Sequence, residues 1–139
     1  MTIEPGAGWT PIAGVTSIRA GSALDFSELC GKREMAGAHG RVVAKGPHFE
    51  FENLPGVKQR FYGVNFVGGS NYPEEKYAKP FAATLARLGY NAVRMHHHDN
   101  GIAGAKDGTL NEKMMARFDA FIAALIENGL YVTTDLYVS

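Results

Sequence analysis

The sequence lacks paired cysteines, an excess of either charge and long apolar runs. Its single cysteine, Cys30, excludes an internal disulfide framework, and we expect it to be a buried, small apolar residue. The 14 basic and 14 acidic residues cancel, so charge favours neither nucleic acid nor an anionic membrane as a partner. No apolar stretch approaches the roughly 20 residues of a membrane span. Residues 1–6 show no basic start leading into an apolar run, so no signal peptide is visible and the localisation stays open.

The composition that remains is that of an ordinary globular domain. Hydrophobic residues make up 45% of the 139 residues and charged residues 20%, which is enough for one domain with a buried core. No repeat at solenoid spacing and no low-complexity tract appears.

Residues 1–58 predict a small β-rich segment that packs on the part of the chain that follows. The first 20 residues are rich in Gly, Pro, Thr and Ala and are typical of an irregular arm. The dipeptide Gly46-Pro47 is a turn signal, so a β-hairpin is predicted between strands at 40–45 and 48–52. A second turn is predicted at 53–56.

Residues 59–139 alternate between strand-like and helix-like patterns. Strands are predicted at 61–66, directly after Gly89, and at 130–138. The order β-α-β-α-β predicts an α/β fold with a parallel sheet and right-handed crossovers. Such a stretch begins either a doubly wound sheet or a (β/α)8 barrel, and a full barrel needs about 250 residues.

Both predicted helices carry an apolar stripe. Because proline inside a helix costs about 3 kcal/mol, the first helix is expected to start near Pro80, with an extra turn allowed before it. Its stripe is Phe81, Leu85 and Leu88. The second helix is expected to start after Asn111 as the N-cap. Its stripe is Met115, Phe118, Ile122 and Leu125.

Polar side chains crowd the predicted C-terminal ends of the three strands, where α/β folds place their sites. Arg94 is suited to holding a carboxylate in a fixed orientation. His97 or His98 would donate hydrogen bonds to substrate hydroxyls, and Tyr137 would do the same or stack on the substrate. The candidate site residues are Asn65, Arg94, His97, His98, Asp99, Asp135 and Tyr137.

Three other interpretations of these residues stay open. They form a structural cluster that only holds loops together, or paired carboxylates for glycoside hydrolysis at Asp99 and Asp135, or a metal site at His96, His98 and Asp99 with Asp135. Strand alternation would turn His96 and His98 to one side and His97 to the other. No HExxH, G-x-S-x-G, GxGxxG or Walker motif occurs, and no metal or other cofactor is predicted.

Several stretches together resemble the opening of the cellulase-like glycoside hydrolases, the family 5 type enzymes of the large retaining (β/α)8 clan. The stretches are RFYGVN at 60–65, LARLGYNAVR at 85–94 with His97, His98 and Asp99, GLYV at 129–132, and DLY at 135–137. Upstream, ALDFS at 23–27 and AGAHG at 36–40 are similar to the segment that precedes the barrel in some bacterial members.

The resemblance implies that residues 59–139 are the first three strands and two helices of a (β/α)8 TIM barrel, preceded by the β-rich segment 1–58. Arg94 matches the strand-two arginine that in the family hydrogen-bonds the nucleophilic glutamate. Tyr137 departs from the pattern, because many members have a histidine there. The family's two catalytic glutamates follow strands four and seven, so this chain is expected to contain neither catalytic residue.

The leading hypothesis is therefore the N-terminal part of a retaining glycoside hydrolase that acts on β-linked oligo- or polysaccharides. A companion chain or a missing C-terminal segment would complete the barrel and supply the glutamates. The alternatives are a non-catalytic carbohydrate-binding half-barrel and the metal-dependent enzyme at His96, His98 and Asp99.

Overall fold

The computed structural model describes residues 6–9, 18–103 and 108–135. Within these ranges the chain is a mixed α/β structure with two separate three-stranded sheets. In the same ranges, no helix combines the length and the apolar character needed to cross a bilayer.

The first sheet is antiparallel and confirms the predicted hairpin. Strands β1 (Val42–Lys45) and β2 (His48–Phe51) pair across the Gly46-Pro47 turn. A third strand, β3 (Leu54–Gln59), pairs with β2 and was not predicted. Because Phe51 pairs with Leu54, the second turn lies one step earlier than expected, at residues 52–53, and the pairing beyond it is irregular.

The second sheet is parallel and confirms the predicted β-α-β-α-β order. Its strands lie side by side in the order β4 (Gly63–Val67), β5 (Ala92–His96) and β6 (Tyr131–Thr134). Helix α1 (Glu75–Arg87) connects the first two strands, and α3 (Glu112–Glu127) leads into the third. A short helix, α2 (Asp99–Ile102), begins directly after the three histidines that follow Met95.

Helix α1 differs from its prediction at both ends. It begins at Glu75, because Pro80 removes only one helical hydrogen bond and the turn before it joins the same helix. It ends at Arg87, so Leu88 leaves the helical stripe and is 43% exposed. Gly89 has a φ of 88°, the left-handed conformation expected just past a helix.

The predicted start of α3 is confirmed in atomic detail. The Asn111 side chain accepts a hydrogen bond from the backbone N–H of Met114 at 3.2 Å, which satisfies one of the free donors of the first turn.

The core lies between the parallel sheet and the two long helices. Phe121 of α3 is at its centre, with its ring stacked on Phe81 of α1 and edge-on to Phe66 of β4. Val93 and Met95 of β5 are buried in the same layer. The apolar side chains of the sheet that reach this core are Val64, Phe66, Val93, Met95 and Val132.

An aromatic cluster joins the antiparallel sheet to the N-terminal ends of the parallel strands. Tyr131, the first residue of β6, stacks on Phe51 of β2 with ring centroids 5.2 Å apart. Phe61, just before β4, packs edge-on against both rings. The C-terminal ends of the parallel strands lie at the opposite edge of their sheet.

Arg33 ties the segment before the first sheet to both long helices. Its guanidinium donates to the carbonyl oxygens of Ser27 at 2.9 Å, Asn128 at 3.1 Å and Ala86 at 3.3 Å. Two of these carbonyls belong to the C-terminal ends of α3 and α1, where a positive charge is favourable. Cys30, in the same segment, is exposed, so the prediction that it is buried is wrong. It lies in a stretch of turns and bends and not in a helix or strand.

Gly129 is expected to tolerate substitution less than a glycine with a similar φ in open space. Its φ is 73°, and a Cβ there would collide with the Glu34 carbonyl oxygen and the Arg33 side chain. Gly21 has a φ of 71° and nothing near its Cβ position. Gly21→Ala should therefore cost only the backbone strain, about 1–2 kcal/mol, and Gly129→Ala should cost about 1–3 kcal/mol more. Chemical denaturation measures both, and equal losses would contradict the packing at Gly129.

Candidate active site

The two faces of the parallel sheet differ in character. Alternate side chains of each strand reach the helical core, and the others lie on what we call the open face. Register aligns Asn65, Arg94 and Thr133 across this face, one from each strand, and all three are exposed. The predicted convergence of polar side chains from neighbouring strands is therefore present for Asn65 and Arg94.

Asp135, just past the end of β6, joins two side chains of β5 into one network. The Arg94 guanidinium donates to both of its carboxylate oxygens, from Nε to Oδ1 at 3.1 Å and from Nη2 to Oδ2 at 2.7 Å. The His96 ring also bonds Oδ2, from Nδ1 at 2.5 Å. Such a fork-to-carboxylate pair fixes the orientation of the guanidinium as well as its position.

The network keeps the Asp135 carboxyl ionised. The hydrogen bond from His96, together with the hydrogen bond and charge of Arg94, holds the pKa of Asp135 below its ordinary value. An ionised carboxylate can only accept, so His96 Nδ1 must carry the proton of the bond between them. Both Asp135 oxygens are occupied, which makes this residue a poor general acid and a hindered nucleophile.

A left-handed corner at His97 breaks the alternation expected after β5. His97 has a φ of 51°, so its ring lies beside that of His96, with centroids 3.8 Å apart. His98 instead stacks on Phe118 of α3, on the helical side of the sheet. The expectation that His96 and His98 share a side while His97 points away is therefore wrong, because a strand period cannot continue through a positive φ.

Asn71 and Tyr72 hold this corner from the loop after β4. The fully buried Asn71 donates from Nδ2 to the carbonyl oxygens of His96, at 2.9 Å, and of Gly68, at 3.0 Å. The hydroxyl of the buried Tyr72 donates to the His98 carbonyl oxygen. The carbonyls on both sides of His97 are thus fixed. Sequence reasoning missed both residues, although an Asn-Tyr pair following Gly-Gly-Ser at the end of a strand was visible.

The remaining candidate residues lie around this centre or beyond the described ranges. Asp99 is the first residue of α2 and is half-buried. Tyr137 lies outside the described residues and stays a prediction.

The metal hypothesis fails on the geometry of its ligands. Among the residues that the structure describes, no three His, Cys, Asp or Glu side chains come together to hold an ion. His96 turns its Nδ1 to Asp135 and His98 lies against Phe118, so His96, His98 and Asp99 do not converge.

A cavity of about 270 Å³ lies away from these residues, between the segment before the first sheet and the two sheets. Phe51 and Tyr131 line it, with Arg33 and His39. Arg33 uses its donors on backbone carbonyls there. This cavity lies at the contact between the segment before the first sheet and the two sheets. None of the candidate site residues lines it.

Acid is expected to remove the stabilisation that Asp135 provides. Because its pKa is lowered in the folded protein, the contribution is complete above its ordinary pKa, near pH 4, and is lost as the pH falls through the folded value. The difference in unfolding free energy between the parent and Asp135→Asn should be smaller at pH 2.5 than at pH 5. Denaturant titrations at several pH values test this. A difference that grows on acidification would contradict it.

A family model matches a large part of the sequence that builds this site. Residues 44–138 match the family model described as cellulase (glycosyl hydrolase family 5), a range that runs from β1 through β6 and includes the whole Arg94–Asp135–His96 network. Neither the curated proteins nor the solved structures give a match. Since the family match spans more than half of the sequence, the chain belongs to glycosyl hydrolase family 5, the cellulase family.

Proposed function

We propose that this chain is the N-terminal part of a retaining glycoside hydrolase that cleaves β-glycosidic bonds in oligo- or polysaccharides. The observation that carries the proposal is the Arg94–Asp135–His96 network on the open face of a parallel sheet, in a chain of family 5. Polar side chains at the C-terminal ends of parallel strands are where barrel enzymes bind and transform their substrates.

The fold proposal follows from the two faces of the sheet. In a (β/α)8 barrel the helices cover the outside and the other face of the sheet lines the interior. We propose that β4, β5 and β6 are the first three strands of such a barrel and that the open face becomes its interior. Residues 59–139 would then form the first part of the barrel. Residues 1–58 would form an N-terminal segment that packs on the barrel at the N-terminal ends of its strands. The aromatic cluster of Phe51, Phe61 and Tyr131 at the N-terminal strand ends supports this arrangement.

The proposed reaction needs two carboxyl groups that the network does not supply. In double displacement one carboxylate attacks the anomeric carbon while an acid protonates the leaving oxygen, and water then releases the sugar from the enzyme. Asp135 is ionised and fully engaged, which suits support and neither of these roles. We therefore place the nucleophile and the acid/base outside this chain, in a companion chain or a further C-terminal segment.

Arg94 is proposed to position the nucleophile. Its Nε and Nη2 are bound to Asp135, while Nη1 makes no hydrogen bond to any residue in the described ranges. The side chain is 49% exposed on the open face. A second carboxylate reaching Nη1 would therefore meet a cation whose orientation is already fixed.

The test is an assay of the full-length gene product on β-glucans, β-mannans and aryl β-glycosides, with proton NMR of the first product formed. Hydrolysis with retained anomeric configuration supports the proposal, and inversion would refute the double displacement. Sugar binding without turnover by the full-length product would favour the non-catalytic binding half-barrel instead. Intact-mass and native-size analysis of the same material shows whether a second polypeptide completes the barrel.

A further inference from the structure

His96 presents a ring nitrogen that the protein itself does not use. Its side chain is only 16% exposed, and Nδ1 is bound to Asp135. Among the described residues, none hydrogen-bonds its Nε2. Since Nδ1 carries the proton, the ring in its neutral form has its lone pair at Nε2 and can accept one hydrogen bond there.

The left-handed corner adds a second imidazole at the same place. His97 follows His96 directly, and in regular strand geometry its ring would lie on the helical side. A positive φ is unfavourable for a residue with a side chain, and conformations of this kind persist when the surroundings enforce them and often mark functional sites. In this corner, Asn71 and Tyr72 fix the carbonyls on both sides of His97. The result is two adjacent rings on the side of Asp135.

We propose that His96 and His97 form a hydroxyl-binding subsite for one sugar ring of the substrate, with His96 Nε2 as the acceptor for a specific sugar hydroxyl. Asp135 acts as a positioning residue that selects the His96 tautomer, and Asn71 acts as a positioning residue that keeps the two rings together. The inference rests on the proposed function, because it assumes that a sugar occupies the open face.

Two substitutions of His96 test the roles of its two ring nitrogens separately. The amide of asparagine falls near the position of Nδ1, so His96→Asn keeps a donor for Asp135 and removes the group at Nε2. The longer glutamine places its amide near Nε2, so His96→Gln keeps a polar group towards the sugar and loses the bond to Asp135. Circular dichroism and thermal unfolding establish that each variant is folded before it is assayed.

The experiment measures kcat/KM of the full-length protein on its preferred aryl β-glycoside and on a panel of monodeoxy analogues, each lacking one ring hydroxyl. The parent should disfavour one analogue by about tenfold or more, the value of one hydrogen bond. His96→Asn should lose that preference at the same hydroxyl only, and His96→Gln should retain part of it. The control is His39→Ala, a histidine bound to Glu34 in the N-terminal segment, which should leave every preference unchanged.

The outcomes distinguish this inference from the proposed function. An active parent whose His96→Asn variant keeps all of its preferences would overturn the subsite and leave the glycosidase proposal standing. A uniform loss of kcat/KM over all analogues would also overturn it, since that pattern shows a structural role alone. A parent inactive on every glycoside would overturn the proposed function itself, and the subsite with it.

Discussion

Replacement of Arg94 by alanine is expected to lower kcat/KM of the full-length protein on a β-linked substrate by about 10²-fold, the size of effect that follows when a reacting group is misplaced by about 1 Å. Arg94 is the cation that Asp135 holds in a fixed orientation, with Nη1 left for a second carboxylate. Without it, the proposed nucleophile would lose its partner and its alignment. The loss should fall mainly on kcat, because the interaction is with the reacting group and not with the bound sugar.

Two variants make this result specific. Arg94→Lys keeps the charge but cannot bind two carboxylates with one planar fork, so we expect most of the loss to remain. Arg41→Ala removes an exposed arginine that directly precedes β1 and should leave kcat unchanged. Since Arg94 is half-exposed, its removal should change the unfolding free energy by only about 0–1 kcal/mol. Normal kcat in a folded Arg94→Ala protein would refute the role.

Replacement of Phe121 by alanine is expected to cost about 3–5 kcal/mol of folding free energy, the range for large aromatic residues truncated in a core. Phe121 is fully buried, and its ring contacts those of Phe66 and Phe81. The sheet on one side and two helices on the other leave little room for the site to collapse. Because a small domain has only about 5–15 kcal/mol of stability, this single change should remove a large share of it.

The matched control for Phe121→Ala is Tyr77→Ala, which removes an exposed aromatic ring from α1. Substitutions at such positions usually change stability by no more than about 0.5 kcal/mol. Chemical denaturation of both variants at neutral pH gives the comparison. Similar losses in the two would show that Phe121 is not the centre of the core.

The sequence was sufficient to predict the order of elements and much of the core. Apolar stripes at helical spacing located α3, with Phe118 and Leu125 buried as expected. The predicted element boundaries were wrong where a single residue or a short turn-like stretch decides where an element begins or ends. Leu88 fits the periodicity of α1 but lies past its last helical residue, and β3 was hidden because Leu54-Pro55-Gly56 has the composition of a turn.

The site was predictable in its residues but not in their arrangement. Arg94 and Asp135 were chosen because strand ends collect side chains, and the structure does bring them together. The choice between the three histidines depended on the backbone at His97, and no local sequence signal marks a positive φ in a run of identical residues. Asn71 escaped notice because its role comes from a contact with a strand 25 residues away.

The Arg33 contacts have a consequence for the order in which the chain acquires its structure during synthesis. Arg33 leaves the ribosome early, yet two of its three partner carbonyls lie 53 and 95 residues later in the sequence. At about 5–20 residues per second, the segment around Arg33 must wait roughly 5–20 s for the second of them. Arg33 can therefore make all of its contacts only after both helices have been synthesised. Contacts of such long range form late in folding, because the entropy cost of closing the loop precedes the gain from the contact.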